Sequence, residues 1–84
     1  MEKFDLGALP ENMKFARAVC GLTQKALAER AGMSEAAVVT YETARTVPTL
    51  ESAVHIAESL GVTVNDLVDP DYVQSRRKLL SARA

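Results

Sequence analysis

The stretch from Gln24 to Glu42, QKALAERAGMSEAAVVTYE, holds two short helical periods separated by one glycine. No other part of the chain restricts the fold as much. Thr23 suits an N-cap, because its hydroxyl can accept one of the backbone N–H groups that a first helical turn leaves unpaired. Leu27, Ala28 and Ala31 then share one apolar stripe. Gly32 follows where a helix ends in a left-handed residue, which glycine adopts without a Cβ clash. Ser34 can cap a second helix, in which Val38 and Tyr41 recur three apart on an inward face. The small side chain of Ala28 lets the second helix cross close to the first.

The flanking sequence is also helical in pattern. Met1 to Leu9 shows no period and reads as a loose N-terminal arm. Pro10 suits the start of a helix whose inner face is Met13, Ala16, Val19 and Cys20, closed by Gly21, with Leu22 turned inward. Thr43 to Pro48 reads as a loop, and Thr49 caps a helix whose core side is Leu50, Ala53, Val54, Ile56, Ala57 and Leu60, stopped by Gly61. Val62, Val64, Leu67 and Val68 suggest a short fifth helix before the break at Asp69-Pro70-Asp71. Residues 70–84 can form one more helix, with Tyr72, Leu79 and Leu80 near one face and Arg76, Arg77, Lys78 and Arg83 around it. Three roles compete for it: a helix that strengthens a dimer, a frayed tail, or a basic surface touching phosphate. The pattern predicts an all-α chain.

Composition narrows the function classes. A chain of 84 residues is one domain, and a domain this small buries only about 60% of its unfolded surface. Its formal net charge of −1 gives no overall basic excess, so any attraction for polyanions must come from local placement. One cysteine, Cys20, rules out an intrachain disulfide and a cysteine-based zinc site, and is expected as a small core residue. His55 lies off the apolar stripe of its helix, with no second histidine to join in a metal constellation. No apolar run approaches the ~20 residues of a membrane span, and no basic-then-apolar leader is present, so the expectation is a cytoplasmic protein. No glycine-rich phosphate loop or set acid pair appears; no catalytic residue, metal or cofactor is expected.

Thr23-Gln24, Leu27-Ala28, Ala31-Gly32-Met33-Ser34, Val38, Tyr41-Glu42 and Pro48 together resemble the helix-turn-helix domain of the Cro and lambda-repressor type, often called the xenobiotic-response-element family. The resemblance covers most of the chain, from about Asn12 to Val68. It implies a compact bundle of five short helices over residues 10–69, a lambda-repressor-like domain, with residues 70–84 as an extra helix or tail. It also implies that Arg17 and Glu42 pair inside the domain, where bidentate Arg–carboxylate geometry is strong. The second motif helix, about residues 35–41, is then expected in the major groove, with Glu35, Ala36, Val39 and Thr40 toward the bases. Glu35 can accept from a cytosine amine, Thr40 can bond either way, and Ala36 and Val39 can touch a thymine methyl. The bland alternative for Glu35 is a favourable place in the dipole of its own helix. Thr23, Gln24, Lys25, Ser34, Thr43, Arg45 and Thr46 are the candidate phosphate contacts, aided by backbone amides at the two helix starts. Where this chain has Ala44 the family most often has glycine, so that turn is expected to take a different shape. Val62, Val64, Leu67, Tyr72, Leu79 and Leu80 are candidates for a two-fold dimer contact.

Two functional classes follow. The first is a homodimeric, sequence-specific regulator that binds double-stranded DNA at a palindromic operator. The second is a protein-interaction module of the same fold, such as the antitoxin of a toxin–antitoxin pair, for which the weak basic balance and the apolar run Ala36-Ala37-Val38-Val39 argue.

Overall fold

The structure, a computed structural model, describes residues 3–82. Among these it is all-helical. After a single 3-10 turn at Leu6–Ala8 come α1 (Leu9–Cys20), α2 (Gln24–Ala31), α3 (Glu35–Glu42), α4 (Leu50–Leu60), α5 (Val64–Val68) and α6 (Tyr72–Ala82). The helix starts follow from side-chain oxygens in the sequence. Thr23, Ser34, Thr49 and Thr63 each accept a backbone N–H two or three residues into the helix they precede. Thr63 and Asp66 complete the reciprocal bonds of a capping box.

The helix ends are equally local. At Gly32 (φ +69°) the Met33 N–H reaches Ala28 O at 2.9 Å and the Gly32 N–H reaches Glu29 O at 3.3 Å, the two bonds of a Schellman closure. The end of α3 repeats that geometry. Arg45 N–H donates to Thr40 O at 2.9 Å and Ala44 N–H to Tyr41 O at 3.3 Å, with Ala44 at φ +61°. The expectation of a different turn shape was wrong. The closing hydrogen bonds retain the left-handed residue, and alanine carries a backbone strain of about 1–2 kcal/mol that glycine would not.

Met13, Leu27, Val38, Ile56 and Leu67 are the largest fully buried apolar side chains and draw α1 to α5 around one core. Burial departs from the sequence pattern at several places. The arm is not loose throughout: Asp5 N–H donates to Val68 O at 2.7 Å, Asp5 caps the 3-10 turn, and Leu9 is buried at the start of α1. Met1 and Glu2 lie outside the described residues, as do Arg83 and Ala84 at the other end. Val19 and Cys20, assigned to the inner face of α1, are exposed, because that helix runs past the core before Gly21 turns it; the Cys20 thiol donates to Leu60 O at 3.4 Å. Leu50 and Val54 are likewise exposed, since Ala53, Ile56, Ala57 and Leu60 already form the face that α4 turns inward.

Asn12 is the polar residue that the pattern did not reveal. It is buried, and its Nδ2 lies 2.9–3.0 Å from the carbonyl oxygens of Asp66, Leu67 and Asp69. One amide thus gathers three carbonyls around the end of α5, two of which also accept a backbone N–H (Asp69 to Asp66 O at 3.4 Å and Tyr72 to Asp69 O at 3.1 Å), and it ties α1 to the end of the domain.

Candidate nucleic-acid interface

The two helices of the motif are locked from beneath by a charged cluster. Arg17 on α1 donates through Nε to Glu42 Oε2 at 2.8 Å and through Nη2 to Glu42 Oε1 at 3.0 Å, while Nη1 reaches Leu22 O at 2.9 Å. Glu42, at the last turn of α3, is only 2% exposed. Its carboxylate also accepts from Gln24 Nε2 at 3.1 Å, so the first residue of α2 joins the same cluster. The hydrogen bond to Glu42, assisted by its charge, raises the Arg17 pKa above its usual range despite partial desolvation. A carboxylate so buried costs little only while its oxygens are filled. The three donors fill them, and the crossing of α1, α2 and α3 is fixed as a result.

This arrangement leaves one side of α3 free. Val38 is fully buried and Tyr41 packs against the core, which turns Glu35, Ala36, Val39 and Thr40 the other way. Glu35 and Ala36 are exposed; Val39 and Thr40 are half-buried at the surface. Lys25 and Arg45 are exposed on the elements beside α3. Thr23 and Ser34 use their hydroxyl oxygens as caps, accepting from Ala26 and Ala37 at 3.0 and 3.1 Å.

Three expected contact residues use side-chain donors within the protein. Gln24 gives one N–H of its amide to Glu42. Thr43 O–H donates to Val39 O at 2.7 Å. Thr46 O–H donates to Thr40 Oγ1 at 3.1 Å, and Thr40 O–H in turn donates to Ala37 O at 2.8 Å. These side-chain links close the loop after α3 onto the helix, and spacing alone could not have revealed them.

The residues assigned to a dimer contact divide into three groups. Leu67 is 1% exposed and Tyr72 is 6% exposed, so both are core residues of the single chain and cannot be part of a free dimer surface. Tyr72 meets Phe15 edge-on, with ring centroids 6.1 Å apart, and Arg76 lies over the Tyr72 ring at 5.4 Å. Val62 and Val64 are partly buried against the core, whereas Leu79 and Leu80 are 56% and 47% exposed. Leu79 and Leu80 border a groove of about 360 Å³ that runs between the end of α1, the α4–α5 junction and α6. Among the described residues no His, Cys, Asp or Glu side chains gather to hold a metal ion, and no helix is long and apolar enough to cross a membrane.

Comparison with known proteins agrees with this geometry. A family model described as helix-turn-helix matches residues 13–67. A hypothetical transcription factor, NHTF from Neisseria, is 31% identical, with 94% of each chain covered and a TM-score of 0.76. The clp gene regulator ClgR from Corynebacterium glutamicum superimposes with a TM-score of 0.72 at 24% identity, over 99% of this chain and 86% of that one. The P22 c2 repressor, solved in complex with a synthetic operator, gives a TM-score of 0.71 at 24% identity, over 75% of this chain and 96% of that one. Comparison with proteins of curated function finds no match. With its family model spanning most of the chain and its α2–α3 motif braced from below by Arg17 and Glu42, the protein belongs to the helix-turn-helix family of the Cro and lambda-repressor type and has the fold of a DNA-binding transcription factor.

Proposed function

We propose that the protein is a homodimeric, sequence-specific transcriptional regulator that binds double-stranded DNA in the cytoplasm. Helix α3 enters the major groove, with Glu35, Ala36, Val39 and Thr40 toward base edges. Thr23, Gln24, Lys25, Ser34, Thr43, Arg45 and Thr46 line the phosphate side, Gln24 through the second N–H of its amide, the first being held by Glu42. In a two-fold dimer the two copies of α3 sit about one helical turn apart, ~34 Å, on a palindromic operator. The observation that carries the reading is the buried Arg17–Glu42 bond, which holds α3 rigid while its outer side stays uncovered. The operator complex of the P22 c2 repressor, a fold relative, is consistent with it. For the dimer contact we assign Val62, Val64, Leu79 and Leu80, the apolar candidates that are not fully buried in the core.

Selection of the full chain against random duplexes, repeated at two salt concentrations, tests the reading. The expected result is one preferred sequence with internal two-fold symmetry and a shallow salt slope, because few cations border α3. Gln24→Ala is expected to weaken all duplexes alike. Sedimentation of a Leu79→Asp, Leu80→Asp double variant tests the dimer; a wild-type dimer that the variant leaves intact would move the contact elsewhere. A second reading, a protein-interaction module such as an antitoxin, draws on the net charge of −1 and on the exposed apolar side chains Val47, Leu50 and Val54. Selection without any preferred duplex, together with a co-purifying second chain, would favour it.

A further inference from the structure

We propose that α3 reads its site only through base methyls and exocyclic amines, because it offers no side-chain hydrogen-bond donor to a base edge. The inference rests on the DNA-binding reading above and names what that surface recognises. The outward positions are Glu35, Ala36, Val39 and Thr40. Glu35 is an acceptor when ionised, and Ala36 and Val39 are apolar. Thr40 looks like a donor in the sequence but is not one in the fold. Its O–H is given to Ala37 O at 2.8 Å, and its oxygen already accepts from Thr46 at 3.1 Å. The side of Thr40 left for a ligand is therefore chiefly its methyl group. Nearby, Thr43 O–H is given to Val39 O and one Gln24 N–H to Glu42; the other Gln24 N–H and the Ser34 O–H stand at the starts of α2 and α3, where phosphate is the partner assigned to them above. Lys25 and Arg45 lie on α2 and on the loop after α3, beside the reading face, where phosphate is the partner their placement suits.

The major groove presents both kinds of group. Purine N7, guanine O6 and thymine O4 are acceptors and need a donor from the protein. Cytosine N4 and adenine N6 are amines that donate, and thymine adds a C5 methyl. A face built of one carboxylate and several methyl groups can use only the second set. Ala36 and Val39 are three residues apart and adjacent on the helix surface, so they form one apolar contact for thymine methyls. Glu35, one position earlier, takes the amine of a cytosine or an adenine. The same face would accept 5-methylcytosine where it accepts thymine, since the C5 methyl is common to both.

Base analogues in the duplex selected by the full chain test this directly. Deoxyuridine in place of thymine under α3 removes one methyl and is expected to weaken binding about fourfold per contacted methyl, the amount that burying such a group contributes. Replacing purines with their 7-deaza analogues is expected to leave affinity within about twofold, whereas loss of an N7 bonded to a protein donor would cost about fivefold or more. Thr40→Val, which keeps the shape and removes the hydroxyl, should preserve both profiles. Val39→Ala should abolish most of the deoxyuridine penalty. Neutral deoxyuridine with a strong 7-deaza penalty would overturn the inference and leave the DNA-binding reading standing. Absence of any preferred duplex would overturn both.

Discussion

Helices α2 and α3 and helix α6 are held by different physics. The motif is fixed at every boundary: Thr23 and Ser34 cap its starts, Schellman closures finish both helices, and Glu42 is clamped from α1 and α2. Helix α6 is fixed only where it begins. Tyr72 and Val73 are buried, Arg76 and Arg77 lie over the Tyr72 and Phe15 rings, and every described residue from Gln74 onward is exposed. One region is rigid because its polar groups are satisfied inside the protein. The other is attached by an aromatic contact at one end, with the remainder free to meet a partner. A surface that presents side chains to a duplex needs the first kind of support; a contact that forms between copies can be built on the second.

Arg17→Met should be the most damaging substitution. It would strand the Glu42 carboxylate in a site with almost no access to water, at a cost of about 3–5 kcal/mol in urea denaturation. Glu42→Gln should cost clearly less, because Arg17 keeps about a fifth of its side chain exposed and can rehydrate. If the two variants are equally unstable, the asymmetry of burial is not what matters.

Tyr72→Ala should come next, at about 3 kcal/mol for loss of a buried ring, with the loss reported first by α6. The same contact can be loosened without mutation. Burial raises the Tyr72 pKa above its ordinary 10.0, although the nearby Arg76 charge opposes this. The fold therefore favours the neutral phenol. Its contribution is complete below pH 10 and is lost as the pH rises through the higher folded value. Hydrogen exchange of α6 amides, extrapolated across that range, should reveal early opening in the wild type but not in Tyr72→Phe. Equal opening in both would exclude the phenol as the cause.

Ala44→Gly should stabilise the motif. The relief of left-handed strain, about 1–2 kcal/mol, is partly offset by the added entropy of the unfolded chain, about 0.4–1 kcal/mol, leaving a gain near 0.5–1 kcal/mol. A lower melting temperature would show that the turn is not strained. The smallest effect is expected at the free end of α6: Leu79→Ser should change the stability of the isolated protomer by less than about 0.5 kcal/mol. A large loss there would mean that α6 is docked along its whole length.

Local chemistry made much of this readable before any coordinates. The N-caps of α2, α3 and α4 are each a Ser or Thr followed by a helical period, and the glycines that end α1, α2 and α4 lie where the apolar stripe stops, because these choices depend on hydrogen bonds within a few residues. The side of α3 that faces outward followed in the same way from Val38 and Tyr41. The stripe of α4 was less reliable. A helix can carry more apolar residues than its neighbours can cover, and Leu50 and Val54 were left exposed. Val19 and Cys20 were misread for the same reason.

The amino-acid sequence by itself determined where α2 and α4 begin and end, that the α2–α3 unit would form, and which residues of α3 would point inward, since each rests on contacts within a turn or two of chain. Only the tertiary structure decided that Asn12 would bind carbonyls more than fifty residues away, that Leu67 and Tyr72 would be core rather than surface, and that one Gln24 N–H and the Thr40 O–H would be bonded within the protein. A hydrogen bond or a buried ring between distant segments depends on how the helices cross. That crossing is set by the packing of the whole core, which no local window of residues contains.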